Sequence, residues 1–273
     1  MQEKCDYIAR RNTKYFFVIS ILTALAVTFG GLIKAQDNIT LPYKASFPYD
    51  YNRKWPFYLT YIYQTLFVFM ACLVTVGFET FFMTMIIQIC SQLDIIFYRL
   101  QSLPLMFTAN TKTVIFSRKE AKIIKKCVMQ HNYVYRFCGK LNSIFGAVLG
   151  FQLFGSILNI CTLIYSVSTK NVINDRTVIQ SMALASVLFQ LFLYCHFGHE
   201  VMVKSLKVAD VMNMMDWTVL TKSTQQHLLL ISIRASRPII IMSGSIIPVT
   251  YDTFLSILKT SYTAYNLLKT INA

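Results

Sequence analysis

Residues 58–90 carry a single charged side chain, Glu79. About 20 mostly apolar residues, rising 1.5 Å each, cross the hydrocarbon core of a bilayer, so a helix over this stretch would span it and project beyond. The projecting end is expected to be the inner one, running on towards Leu100. The same character recurs in residues 15–33, bounded by Lys14 and Lys34, in 144–167 and in 178–203. A fifth apolar region, 238–268, is interrupted by Gly244, Pro248 and Asp252. With 55% hydrophobic and only 14% charged residues, the chain has too little polar material to hydrate the surface of a soluble protein. The expected fold class is all-α, an integral membrane helical bundle of about five spans.

A formal net charge of +14 raises the question of nucleic acid, but the basic residues lie between apolar stretches and are not gathered on one folded surface. Topology explains them better. Lys4, Arg10, Arg11 and Lys14 precede the first span, nine Lys or Arg lie in 92–140, and five lie in 204–237. Cytoplasmic segments of membrane proteins hold such an excess, which places the N-terminus inside and, with five spans, the C-terminus outside. Residues 1–14 are polar and basic, so the first span is expected to serve as its own signal and anchor. Within 113–129, Val114, Ile115, Ala121, Ile123 and Ile124 alternate with Arg118, Lys119, Lys122, Lys125 and Lys126, a pattern for an amphipathic helix on an anionic leaflet or a partner helix.

The segment 36–56 reads as an ordered outer loop, and its sequon Asn38-Ile39-Thr40 makes Asn38 a candidate glycosylation site on the side that the charge count puts outside. Residues 144–167 and 178–203 form a helical hairpin joined by a polar turn with Asn171, Asn174 and Asp175. The seven cysteines show no zinc-ligand spacing and are expected to be free thiols.

Few residues suggest chemistry. No Gly-rich phosphate loop, HExxH, paired-Cys motif or GxSxG elbow is present, so nothing supports an enzyme, a cofactor or a metal. Glu79 in an apolar stretch would face a bundle interior or a water-filled cavity, with a polar contact near the cytosol as the plainer reading. His196, His199 and Glu200 fit interface capping better than metal binding, because no further ligands accompany them. Aromatic residues crowd two spans, at Tyr61, Tyr63, Phe67, Phe69 and Met70 and again at Phe189, Gln190 and Phe192. They would wall an apolar pocket or, more plainly, pack helices and form an interfacial belt. The last stretch, 253–268, sets Ser256, Thr260, Ser261, Tyr262, Thr263, Tyr265 and Asn266 among Phe254, Leu255, Ile257, Leu258 and Leu267. Such a helix suits either the lining of a pore built from several subunits or hydrogen bonding to neighbouring helices.

Arg237-Pro238, Ser243-Gly244, residues 252–254 and the run 258–268, LKTSYTAYNLL, closely resemble the C-terminal signature of insect odorant receptors. Phe47-Pro48-Tyr49-Asp50 is similar to the outer loop of those receptors, and Gln190, Tyr194-Cys195 and Gly198 to their sixth helix. His131 and Asp216-Trp217 fall where the family has similar residues, so the likeness covers nearly the whole chain.

The resemblance implies a seven-span fold with the N-terminus inside, of which about five spans are present here, beginning just before the family's third helix. It implies no enzyme but a ligand-gated, non-selective cation channel for olfaction, in which this type of subunit binds the odorant and an obligate co-receptor completes a heterotetramer. The expected location is the plasma membrane of an olfactory neuron dendrite. By the same likeness, residues 1–203 hold the transmembrane bundle, the ligand-pocket region and the cytosolic basic loop 92–140. Residues 204–240 form a cytosolic anchor, and 241–273 the pore-lining helix with a short extracellular tail. The odorant pocket maps to Thr28 and Gly31 in the first span, to Tyr63, Phe67 and Met70, and to Ser181 and Ala185, with the wall from the second family helix absent. The pore maps to Ser261, Ala264, Asn266 and Leu268, the apolar gate falling at Ala264 and Leu268. Ala264 stands where many members carry Val, which implies a looser gate or one set by the co-receptor. Two rival readings are an inactive truncated product of the same family and a transporter or structural subunit, for which the internal repeats common in transporters are not seen.

Overall fold

The computed structural model describes residues 2–37, 54–107, 114–168, 175–244 and 246–271, so Asn38 and most of the expected outer loop lie outside the described residues. Seven α-helices are found among them: α1 (Gln2–Asp37), α2 (Lys54–Gln101), α3 (Leu103–Phe107), α4 (Val114–Ser168), α5 (Asp175–Ala209), α6 (Lys222–Ala235) and α7 (Tyr251–Ile271). The two 3-10 stretches Asp210–Met214 and Trp217–Val219 lie between α5 and α6. An antiparallel pair, β1 (Met242–Ser243) and β2 (Ile247–Pro248), is the one departure from an all-helical chain among these residues.

Three stretches, Trp55–Leu105, Ser117–Ser166 and Thr177–Met214, are long and apolar enough to cross a membrane. The helices that hold them, α2, α4 and α5, have 48, 55 and 35 residues. At 1.5 Å per residue they are roughly 72, 82 and 52 Å long against a hydrocarbon thickness of about 30 Å, so a large part of each stands outside the bilayer. The long run 58–90 therefore continues past Leu100 as its length predicts. One expectation needs correction. The basic segment 113–129 and the span 144–167 are not separate helices but parts of one, α4, because no Pro or exposed Gly pair interrupts the helix formers between them. The region 238–268 is broken around Gly244 and Pro248 as its sequence indicates and becomes helical from Tyr251, with Asp252 in the first turn of α7 rather than at a break.

The chain divides into two compact units, each drawn from several segments. The first comprises Met1–Asp6, Met83–Gly155 and Leu191–Leu258. Its core is a set of heptad seams. Among the buried positions on α2 are Ile86, Ile89, Leu93, Ile96 and Leu100, and among those on α4 are Ile124, Cys127, His131, Val134, Cys138 and Leu141. Alternating steps of three and four residues keep one stripe of each helix facing its neighbours along a long seam. On α5, Leu191, Cys195, Val201, Ser205 and Val208 continue the pattern, and on α6 Leu228, Ile231 and Ala235 are buried.

Side chains in this unit also hold the non-helical segment before α7. Asn142 donates from Nδ2 to the Ile240 carbonyl at 2.8 Å and accepts from the Met242 N–H at 3.1 Å, and the Ser205 hydroxyl accepts from the Ile239 N–H at 2.9 Å. Buried backbone groups without a helix or sheet partner are thereby satisfied. Gly244 has φ +59°, a left-handed conformation that glycine adopts without penalty, and its N–H donates to the Gly146 carbonyl at 2.6 Å. On the α4–α6 side, the Tyr135 hydroxyl donates to the Arg237 carbonyl at 2.7 Å while the Arg234 guanidinium lies 4.3 Å from the Tyr135 ring centroid.

The second unit comprises Tyr7–Phe82, Ser156–Gln190 and Lys259–Ala273. Here α1 and α2 are tied by the Tyr61 hydroxyl, which donates to the Thr28 carbonyl at 2.5 Å. Ala24, Thr28, Phe57, Tyr61, Gln64, Glu79 and Phe82 are buried in this unit, as are Ser156, Ile160 and Cys161 of α4.

Candidate ligand-binding cavity

The second unit holds a partly open cavity of about 670 Å³. Its wall is built from one face of each of three helices. From α1 come Phe16, Ile19, Ser20 and Thr23, and from α5 come Ser186, Phe189 and Gln190. From α2 come Tyr63, Gln64, Phe67, Val68, Ala71, Cys72 and Thr75. Steps of one, three and four residues recur on all three helices, the spacing that puts side chains on one helical stripe. On α2 the stripe changes from aromatic to small, so Ala71, Cys72 and Thr75 leave the space that Tyr63 and Phe67 help to close.

The wall is mostly apolar, and three of its hydroxyls are engaged by their own helices. Thr23 donates to the Ile19 carbonyl at 2.6 Å, Thr75 to Ala71 at 2.9 Å and Ser186 to Ala183 at 2.7 Å. Gln190 is the amide on the α5 side, and its Nε2 donates to a carboxylate oxygen of Glu79, a side chain only 3% exposed. Glu79 is thus held in the helical bundle by a residue 111 positions away in sequence. A buried carboxyl group requires such a partner, since desolvation without hydrogen bonds costs about 2–7 kcal/mol even for a neutral polar group.

Of the pocket residues expected from sequence, Tyr63 and Phe67 border this cavity. Thr28 lies buried on α1, with its hydroxyl on the Leu25 carbonyl at 3.0 Å and its own carbonyl taken by Tyr61. Met70 is 60% exposed and does not line the cavity. Ser181 and Ala185 are exposed on α5, Ser181 donating to the Val178 carbonyl at 2.8 Å, and neither borders the cavity. Gly31 lies within α1, and its surroundings are outside the described residues. Phe189 and Gln190 line the wall as the aromatic clustering suggested, whereas Gln64, Ala71, Cys72 and Thr75 were not singled out. Their signal was the helical spacing from Tyr63 and Phe67.

The other candidates lie elsewhere. In the first unit, His196 Nδ1 is 2.5 Å from the Tyr251 hydroxyl, and the His199 ring packs on Tyr251 with centroids 4.6 Å apart. Glu200 pairs with Lys204 at 3.1 Å, and Lys204 also reaches Asp94 at 2.7 Å. No group of three or more His, Cys, Asp or Glu is placed to hold a metal ion among the described residues. On α7, Thr253, Ile257 and Ser261 are buried at four-residue spacing and Ala264 is half-buried, while Asn266 is exposed. Leu255, Tyr262 and Leu267 are exposed on the same helix. The Leu268 side chain is outside the described residues.

Comparison with known proteins agrees with this architecture. Odorant receptor Or2 of Anopheles gambiae is 26% identical over 260 residues, covering 92% of this chain and 66% of the relative. Odorant receptor 13a of Drosophila melanogaster is 25% identical over 266 residues, covering 92% of this chain and 62% of the relative. The chain thus spans somewhat under two thirds of the length of these relatives. The structure of the insect olfactory receptor OR5 from Machilis hrabei in complex with eugenol superposes with a TM-score of 0.84 at 15% identity, covering 99% of this chain and 69% of that one. A second structure of the same receptor gives a TM-score of 0.83 at 16% identity. A profile described as 7tm odorant receptor matches residues 2–262. The chain is therefore a multi-pass membrane protein, not an enzyme, and belongs to the 7tm odorant receptor family of insects.

Proposed function

We propose that this chain is an odorant-binding subunit of a ligand-gated, non-selective cation channel, assembled with an odorant co-receptor into a heterotetramer. The cavity in the second unit carries this reading: about 670 Å³ of mostly apolar, aromatic-lined space is of the size that small-molecule sites have, about 300–1,000 Å³. Burying an apolar odorant among Phe16, Phe67 and Phe189 yields roughly 25 cal/mol per Å² removed from water. Only a difference in affinity between the closed and open arrangements converts that binding into gating. A chain of this length carries α7 with Leu255, Tyr262 and Leu267 uncovered, which supports a helix that meets other subunits around a pore. In this reading residues 204–240 form the cytosolic anchor, the N-terminus is cytosolic, and the protein sits in the plasma membrane of an olfactory neuron dendrite. The fit of an apolar ligand is supported by the eugenol complex of the Machilis hrabei receptor.

The test is odorant-evoked current in cells that express this chain with a co-receptor, alongside Phe67→Glu, which places a charge in the apolar wall. The native chain is expected to give odorant-dependent cation current, and Phe67→Glu to raise the half-maximal odorant concentration about tenfold or more at equal surface expression. A chain that reaches the surface and never responds, or responses untouched by Phe67→Glu, would remove the cavity from odorant sensing.

A further inference from the structure

Gln190 is the cavity's most constrained polar group, and what constrains it lies behind the wall. Glu79 does not border the cavity, is 3% exposed, and accepts a hydrogen bond from Gln190 Nε2. A Glu79 carboxyl oxygen is the acceptor in this bond, so the NH₂ end of the amide is turned towards Glu79. The carbonyl end of the same planar group is then turned the other way. The hydroxyls of Thr23, Thr75 and Ser186 direct their protons to carbonyls of their own helices, which leaves them able to accept but not to donate. Ser20, Tyr63 and Gln64 on the same wall carry groups that can also donate, and among the wall's acceptors the Gln190 carbonyl is the one that Glu79 fixes in direction.

The geometry points to Gln190 as the residue that sets ligand class, with Glu79 as its positioning residue. The cavity selects small apolar molecules that carry one O–H or N–H donor, such as alcohols and phenols, over ethers of the same size. A donor satisfies the Gln190 carbonyl, whereas an ether leaves that acceptor desolvated and unpaired. The selection rests on the cavity being the odorant site. It adds the chemistry of the ligand, which neither the cavity's size nor its apolar wall specifies. Glu79 acts without touching the ligand: once its carboxylate is removed, the amide is free to turn and present N–H instead, and the preference for donors fades.

Isomeric ligand pairs isolate this effect, because size and carbon count cancel. The purified chain in lipid nanodiscs is loaded with the fluorescent apolar probe N-phenyl-1-naphthylamine, which is displaced by 1-octanol or 1-methoxyheptane, and by 4-propylphenol or 4-ethylanisole. The native chain is expected to bind each alcohol or phenol about tenfold more tightly than its ether isomer, the ratio that one unpaired buried acceptor produces. Gln190→Met, close in volume, is expected to equalise each pair while still binding the fluorescent probe. Glu79→Leu is expected to narrow the ratio, and Glu79→Gln, whose amide oxygen still accepts from Gln190, to restore most of it. A structural role for Glu79 would weaken both members of a pair equally and leave the ratio intact. Probe binding with equal affinities for alcohol and ether would overturn the inference while leaving the cavity as an odorant site. Failure of the native chain to bind the probe or any of the four ligands would overturn both.

Discussion

Gly198 on α5 shows how little room one residue has. A Cβ built there would fall on the Val249 carbonyl oxygen and lie 3.2 Å from the carbonyl carbon, atoms of the backbone that leads into α7. Backbone cannot step aside as a flexible side chain does, so Gly198→Ala is expected to lower stability by about 1–3 kcal/mol. Gly155→Ala is its control: an added methyl meets nothing within 4 Å, and Ala is the better helix former by about 1 kcal/mol. Thermal unfolding of the detergent-solubilised chain separates the two, and equal midpoints would sink the argument. Gly198 was noticed in the sequence as part of a family likeness, but its physical reason is a contact with residue 249. Of the expected pocket residues, Tyr63 and Phe67 border the cavity; aromatic clustering suits helix packing more plainly than a wall, and it is the family resemblance that points to a pocket there. Met70 sits three positions from Phe67 and does not line the cavity, a difference that residue type does not encode.

Among the elements, α2 and α4 run heptad seams through the first unit, beside the Asp94–Lys204 pair of α2. Leu93 is completely buried in the α2 seam, and Tyr98 on the same helix is 56% exposed. Leu93→Ala is expected to cost about 2–5 kcal/mol, the range for removing a buried Leu, and Tyr98→Ala to cost about 0.5 kcal/mol or less. Melting curves that show equal losses would mean that the seam does not carry the unit. On α4 the amphipathic pattern in 113–129 shares only Ile124 of its named apolar residues with the seam, while Ala121 is exposed. On α2 the seam was hidden, because a helix that is apolar nearly all round offers no polar face against which a period stands out. The same uniform hydropathy made its span obvious and its buried face invisible.

For the whole molecule, the pore assignment makes its own demand. If the end of α7 forms an apolar constriction, Leu268→Asp wets it, and a chain expressed with its co-receptor is expected to show raised basal current or altered ion permeation. Unchanged permeation and gating would take Leu268 out of the pore. Length and hydropathy determined by themselves that the chain is helical and lives in a bilayer, since a stretch such as 58–90 has no other stable solvent. The C-terminal motif was enough to place it among odorant receptors. The tertiary structure alone decided which faces of α1, α2 and α5 line a cavity, and that Glu79 meets Gln190. The reason is physical: hydropathy is a property of each residue, whereas a cavity and a buried polar pair arise from the rotation and register of helices packed together, which are set by contacts between residues far apart in the chain.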